Sequence, residues 1–148
     1  MDYTALINEH LKAAMLGGDK LRLETLRSLR AGIIEFEKNG SGKSLGDEEF
    51  LKIVNMAVKK RKDAIEQYKN VGRSELMEKE QQELAVLMEF MPQQLGEDEV
   101  RGIIAGIITD MGASSAVDFG KVMGVAMKSL KGKADGGLIQ TIVKEMLS

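Results

Sequence analysis

The sequence has no cysteine, no tryptophan, one proline, one histidine, and only four phenylalanines and two tyrosines in 148 residues. Without cysteine there is no disulfide framework, thiolate nucleophile or thiolate-bound zinc, and the redox compartment is left unmarked. One proline and few β-branched runs leave little material for strands. No apolar run approaches the roughly 18 residues that cross a bilayer. The opening "MDYTALINEH" has acids where a secretory leader needs bases, so the expectation is a cytoplasmic protein with no membrane contact. A net charge of -2 excludes bulk attraction to nucleic acid, and any such contact must come from a local patch.

What is present is helix. Apolar residues recur at three- and four-residue spacing along the chain, which predicts an all-α fold. The first helix is expected at about Asp2 to Leu16, ended by "GGD", with Leu6, Ile7, Leu11 and Ala14 inward. The second, Lys20 to Lys38, presents Leu26, Leu29, Ile33 and Phe36, and a mobile loop, "NGSGKS" (Asn39 to Ser44), should follow. A long third helix spans Asp47 to Val71, and a fourth runs from Ser74 as N-cap to Phe90, stopped by Pro92. Three shorter helices follow at Glu97 to Met111, Phe119 to Lys131 and Gly136 to Leu147. Gly112 and Gly132 are read as the C-caps between them, and Asp135 as the N-cap of the last. The expected organisation is an N-terminal helical domain of about four helices, residues 1–94, followed by a C-terminal three-helix domain, residues 95–148.

Two helices open with the same phrase, "LGDEEF" and "LGEDEV". Gly46 and Gly96 are placed as N-caps, acids fill the positive first turn, and Leu45 with Phe50, like Leu95 with Val100, forms a hydrophobic staple. Duplication would also explain the echo, but nothing beyond these hexapeptides repeats.

The stretch "KVMGVAMKSLKGKADGG" poses the functional question. It follows no strand and lacks the Lys-Ser pair of a phosphate loop. Gly120 and Gly124, four apart, are expected to let another backbone approach. From Val117 to Lys133 the charge is Lys121, Lys128, Lys131 and Lys133 against Asp118, a local +3 in an acidic chain. Either a solvated face or a polyanion contact accounts for it. In the N-terminal half, "KKRK" (Lys59 to Lys62) wraps one helical turn, so at least one member must face the core side. As a nucleic-acid signal it is weak, because acids share that helix. Arg22 lines up with Leu26, Leu29 and Ile33 and should bridge a carboxylate, with Glu80 or Glu83 the expected partner. The ten methionines read as adaptable core filler or as a Met-rich partner groove.

No catalytic constellation assembles from these residues. His10 stands at the flank of the first helix's apolar stripe, the place of an ordinary half-buried histidine, and no serine has a base beside it. Independent catalysis, a cofactor and a metal site are therefore not expected.

The segments "LRLETLRSLRAGIIEFE", "KKRKDAIEQY", "KEQQELAVLMEFMPQQL" and, most specifically, "DFGKVMGVAMKSLKGKADGGLIQTIVKEML" resemble the YqeY family of small bacterial proteins over nearly the whole chain. The same domain, called GatB/YqeY, forms the C-terminal tail of the B subunit of the aspartyl/glutamyl-tRNA amidotransferase, where it is implicated in recognising the tRNA body. The resemblance implies an all-α fold with a three-helix tail and kinship to tRNA-handling machinery. A carbon-nitrogen ligase label with glutamine as amide donor would be inherited from the larger subunit, whose catalytic cradle has no counterpart here. Two functional readings follow: a module binding tRNA or other structured RNA through the lysine-bearing tail, and a protein-interaction adaptor serving tRNA charging or an amidotransferase.

Overall fold

The computed structural model describes residues 1–39 and 45–148, so all but Asn39 of the loop expected to be mobile lies outside it. The described residues form seven α-helices and no strand: α1 (Tyr3–Gly17), α2 (Lys20–Lys38), α3 (Asp47–Asn70), α4 (Ser74–Met88), α5 (Glu97–Met111), α6 (Phe119–Ser129) and α7 (Gly136–Leu147). A short 3-10 turn, Ala116–Asp118, leads into α6. The fold is all-α.

The chain resolves into two compact units, Met1–Met91 and Pro92–Ser148. In the first, α3 packs most extensively on α4 and α1 on α2. Ile7, Leu26, Leu29, Ile33, Val54 and Leu87 are essentially inaccessible at the centre of this unit. The turn between α1 and α2 is built by two residues. Gly18 adopts the left-handed conformation (φ 69°) that closes α1, and the Asp19 carboxylate accepts from the Arg22 N–H at 3.1 Å to open α2. Sequence reasoning read "GGD" only as a stop.

All the aromatic rings but Phe119 lie in this unit, and three of them gather with one another. Tyr3 stacks on Phe50 with centroids 4.1 Å apart, and Phe50 meets Phe90 edge-on at 6.4 Å. The Tyr3 hydroxyl also donates to the Asp47 carboxylate, which holds the phenol above its usual range, because ionising it would lose that bond and set two anions together.

The second unit has its own core of Val100, Ile104, Val122, Ala126, Leu130, Ile139, Ile142 and Val143. Gly112 (φ 64°) caps α5 as expected. Gly132 (φ 74°) is also left-handed, but α6 stops earlier, at Ser129, and a further turn carries the chain on. There Lys133 and Ala134 N–H groups both donate to the Leu130 carbonyl. Asp135 caps α7, its carboxylate accepting from the N–H groups of Gly137 at 3.1 Å and Leu138 at 3.4 Å. Gly46 and Gly96 are the N-caps of α3 and α5. Leu45 joins the first core beside buried Phe50, and Leu95 the second beside buried Val100. Ser74 differs from expectation: it is the first residue inside α4, and Arg73 holds the cap position without a side-chain bond. Gly72 (φ 70°) turns the chain so that the Arg73 N–H reaches the Tyr68 carbonyl at 2.9 Å, which places the helix start one residue early.

The segment Pro92 to Gly96 is tied to the second unit. Gln94 Nε2 donates to the Gly132 carbonyl at 2.6 Å, and the Leu95 N–H to the Lys133 carbonyl at 2.9 Å. The units therefore divide between Met91 and Pro92, whereas composition had placed the division between residues 94 and 95.

Two substitutions test this packing. A Cβ on Gly32 would lie 2.9 Å from Ile53 Cγ2, a branched methyl that cannot swing away. Gly32→Ala gains about 1 kcal/mol of helix propensity but overpacks the α2/α3 contact by about 1 to 3 kcal/mol, so urea denaturation should show a net loss, restored in part by adding Ile53→Ala. Asp135→Ala should cost about 1 kcal/mol, read as faster hydrogen exchange in α7.

Candidate functional site

The lysine-bearing segment runs along α6 into the turn before α7. Lys121 and Lys128, two helical turns apart, lie on the same face of α6, opposite buried Val122 and Ala126. Lys131 and Lys133 follow on the turn, and all four side chains are exposed. Beneath them the backbone is held, because the carbonyls of Gly132 and Lys133 are the ones engaged by Gln94 and Leu95. Among the described residues no ion pair involves Lys121, Lys128 or Lys133.

Gly120 and Gly124 share this outer region of the helix. The expected approach of another backbone is not found: a Cβ added at either would meet nothing within 4 Å. The helix pair that packs on α6 meets its other side, where Val122, Ala126 and Leu130 are buried. Two neighbouring acids are turned toward backbone donors. Asp118 accepts from the Ser114 N–H at 3.1 Å, and Asp135 caps α7. Across the unit Arg101 reaches both Glu97 and Glu145 at 3.0 Å, so α5 is tied to α7. These two bonds, Glu97 first, raise the guanidinium pKa above its ordinary value.

In the first unit the ion pairs depart from expectation. Arg22 does not meet Glu80 or Glu83. It forks onto Glu89, with Nη1 2.6 Å from one carboxylate oxygen and Nη2 3.1 Å from the other. Glu80 and Glu83 instead flank Arg61 at 3.7 and 3.6 Å. Periodicity shows that Arg22 points inward, but it cannot say which stretch beyond α2 lies opposite. The tight α3/α4 packing gives the mid-α4 acids to α3, and Arg61 is the "KKRK" member turned inward while Lys59, Lys60 and Lys62 stay exposed. Arg61 Nη2 also donates to Ser28 Oγ at 3.2 Å, and that hydroxyl donates to the Thr25 carbonyl at 2.7 Å.

His10 completes the Arg22 node. Its Nδ1 lies 3.2 Å from Arg22 Nη2, and since guanidinium only donates, Nδ1 accepts. The ring meets Phe90 edge-on at 5.1 Å. The histidine therefore orients a structural arginine.

A family model described as "Yqey-like protein" matches residues 4–147. The chain belongs to the YqeY family. Among curated relatives, this YqeY chain is 29% identical to altered inheritance of mitochondria protein 41 of Lachancea thermotolerans, over 78% of its own length and 63% of that protein's. The protein of the same name from Pyrenophora tritici-repentis is 30% identical, over 93% and 76% of the two chains. The Kluyveromyces lactis one is 28% identical, over 91% and 70%. The chain thus spans roughly two thirds to three quarters of these relatives. All three are fungal, and all three are named as mitochondrial. Those names correct the expectation of a cytoplasmic protein, which was the default for a chain without cysteines or a basic leader, and they set mitochondrial fungal proteins where the resemblance had implied bacterial ones.

Arg22 holds the Glu89 carboxyl below its ordinary 4.5, chiefly through the hydrogen bonds. A depressed folded-state pKa contributes stability that is present above about pH 4.5 and lost as pH falls through the folded value. Because Glu89 is half exposed, the pair contributes about 1 kcal/mol or less after solvent screening. Glu89→Gln should therefore lower urea stability at pH 7, and the gap from the parent should shrink toward zero at pH 3.

Proposed function

We propose that this YqeY protein is a non-catalytic module that binds structured RNA, tRNA above all, through the lysine-bearing edge of its second unit. The observation that carries the reading is the outer face of α6. Gly120 and Gly124 stand beside Lys121 and Lys128 with open space where their side chains would be, so no internal packing requires them. A glycine-lined helix surface admits a sugar-phosphate backbone closely, and flanking lysines supply the counter-charge. The direction of Asp118 and Asp135 toward backbone N–H groups supports the same reading, since their carboxylates are turned from the lysines to local donors. So does the resemblance to the amidotransferase B-subunit tail, which makes aminoacyl-tRNA or amidotransferase machinery the natural setting. The compartment suggested by the relatives' names is the mitochondrion.

Contacts from three or four lysines imply a log-log salt slope of about -2.7 to -3.6, using the duplex DNA coefficient for folded RNA. Electrophoretic titration with purified tRNA should weaken about 40- to 150-fold between roughly 50 and 200 mM salt. The triple substitution Lys128→Gln, Lys131→Gln, Lys133→Gln should flatten the slope while circular dichroism stays that of the parent. A folded triple variant with the parent's affinity and slope would refute the reading.

A further inference from the structure

The first unit carries a second surface that the RNA reading does not use. A groove of about 580 Å³ opens between α2 and α3, with walls of Leu29, Ala31 and Gly32 on one side and Ile53, Met56 and Ala57 on the other. Three observations characterise it. The α2 wall is low, because its groove positions are Ser28, Ala31 and Gly32, and Gly32 cannot be enlarged without striking Ile53. Met56 stands 73% exposed in the middle of a helix, an unbranched, polarisable side chain able to fit apolar partners of differing shape. Consecutive cations, Lys59, Lys60 and Arg61, line the same groove. Arg61 is already shared by Glu80 and Glu83, but among the described residues Lys59 and Lys60 pair with no acid. Two acids, Glu35 on α2 and Asp63 about one turn beyond the lysines on α3, also line it, so the free positive charge is confined to the turn of Lys59 and Lys60.

We infer that this groove docks an acidic amphipathic helix of a partner protein, its apolar stripe against Ile53, Met56 and Ala57 and its carboxylates on Lys59 and Lys60. A groove between two helices accepts a third helix through anchors at i, i+3, i+4 and i+7. Apolar burial supplies the affinity, and the lysine edge sets the orientation and excludes basic helices. Arg61 contributes by position: its bonds to Ser28 and the α4 acids fix the α3 turn on which both lysines stand.

The probe is a fluorescein-labelled 18-residue peptide, helical by composition, with leucines at three- and four-residue spacing and glutamates on the polar face. A control peptide carries lysine in place of glutamate. With the full chain, fluorescence anisotropy should show the acidic peptide binding at least ten-fold more tightly than the basic one. Met56→Asp and the pair Lys59→Glu, Lys60→Glu should each weaken the acidic peptide about ten-fold. These side chains are exposed, so melting should be unchanged; if either variant melts early, Ala31→Gln, which fills the groove from the other wall, must produce the same loss. Equal binding of the two peptides, or indifference to all of these substitutions, would overturn the inference. It would also fall if sedimentation showed a dimer abolished by Met56→Asp, which gives the groove to a second copy, or if tRNA displaced the peptide only when Lys59 and Lys60 were present, which gives the lysines to RNA.

Discussion

Closing the first unit depends on very few rings. With six aromatic side chains other than histidine in the sequence, a broad aromatic core is not available, and Tyr3, Phe50 and Phe90 are drawn to one place with His10. Tyr3 and His10 lie two turns apart on α1, Phe50 opens α3, and Phe90 follows α4. Arg22 of α2 adds a fork onto Glu89, the residue beside Phe90. All four helices are thus fastened at the point where the unit ends. Edge-to-face and stacked pairs add about 0.5 to 1.5 kcal/mol beyond their burial. The knot therefore accounts for a sizeable part of a domain stability that is small in total.

Charge in both units joins helices. Arg22, Arg61 and Arg101 each take carboxylates from elsewhere in the fold, and the lone histidine accepts a hydrogen bond from one of them. Among the described residues, the exposed cations of the two surfaces that stand outside such pairs are Lys121, Lys128 and Lys133 in the second unit and Lys59 and Lys60 on the fourth turn of α3. Lysine keeps its flexible stem and hydrated head in water at small cost, whereas a planar guanidinium rewards fixed bidentate geometry.

Helix positions were legible in the sequence because their signals are local. Glycine after an apolar stripe, an acid ahead of one, and a staple around "LGDEEF" or "LGEDEV" all act within six residues, and each has its counterpart in the structure. Misreadings arose wherever the cause lay elsewhere in the chain. The inward side of Arg22 was visible, but its partner depended on how far α4 extends past α2. The spacing of Gly120 and Gly124 suggested a packed contact, yet spacing does not say which face of a helix is outermost. Asp19 could have been found, since an acid immediately before an apolar-periodic run is the ordinary mark of an N-cap. The anchoring role of Gln94 had no such mark, because a glutamine reaching a distant carbonyl leaves no periodic trace. The lysine cluster was plain in the sequence, and its exposure is plain in the structure.

The strap from Pro92 to Leu95 has a consequence for where the second unit could be cut from the chain. Its two hydrogen bonds hold the carbonyls of the turn that carries Lys131 and Lys133, so they belong to the fold they precede. A piece of chain cut at Glu97, where the first visible helix begins, would have that turn unbraced. A cut at the proline keeps the brace with the helices, whereas one a few residues later leaves the turn of Lys131 and Lys133 without it.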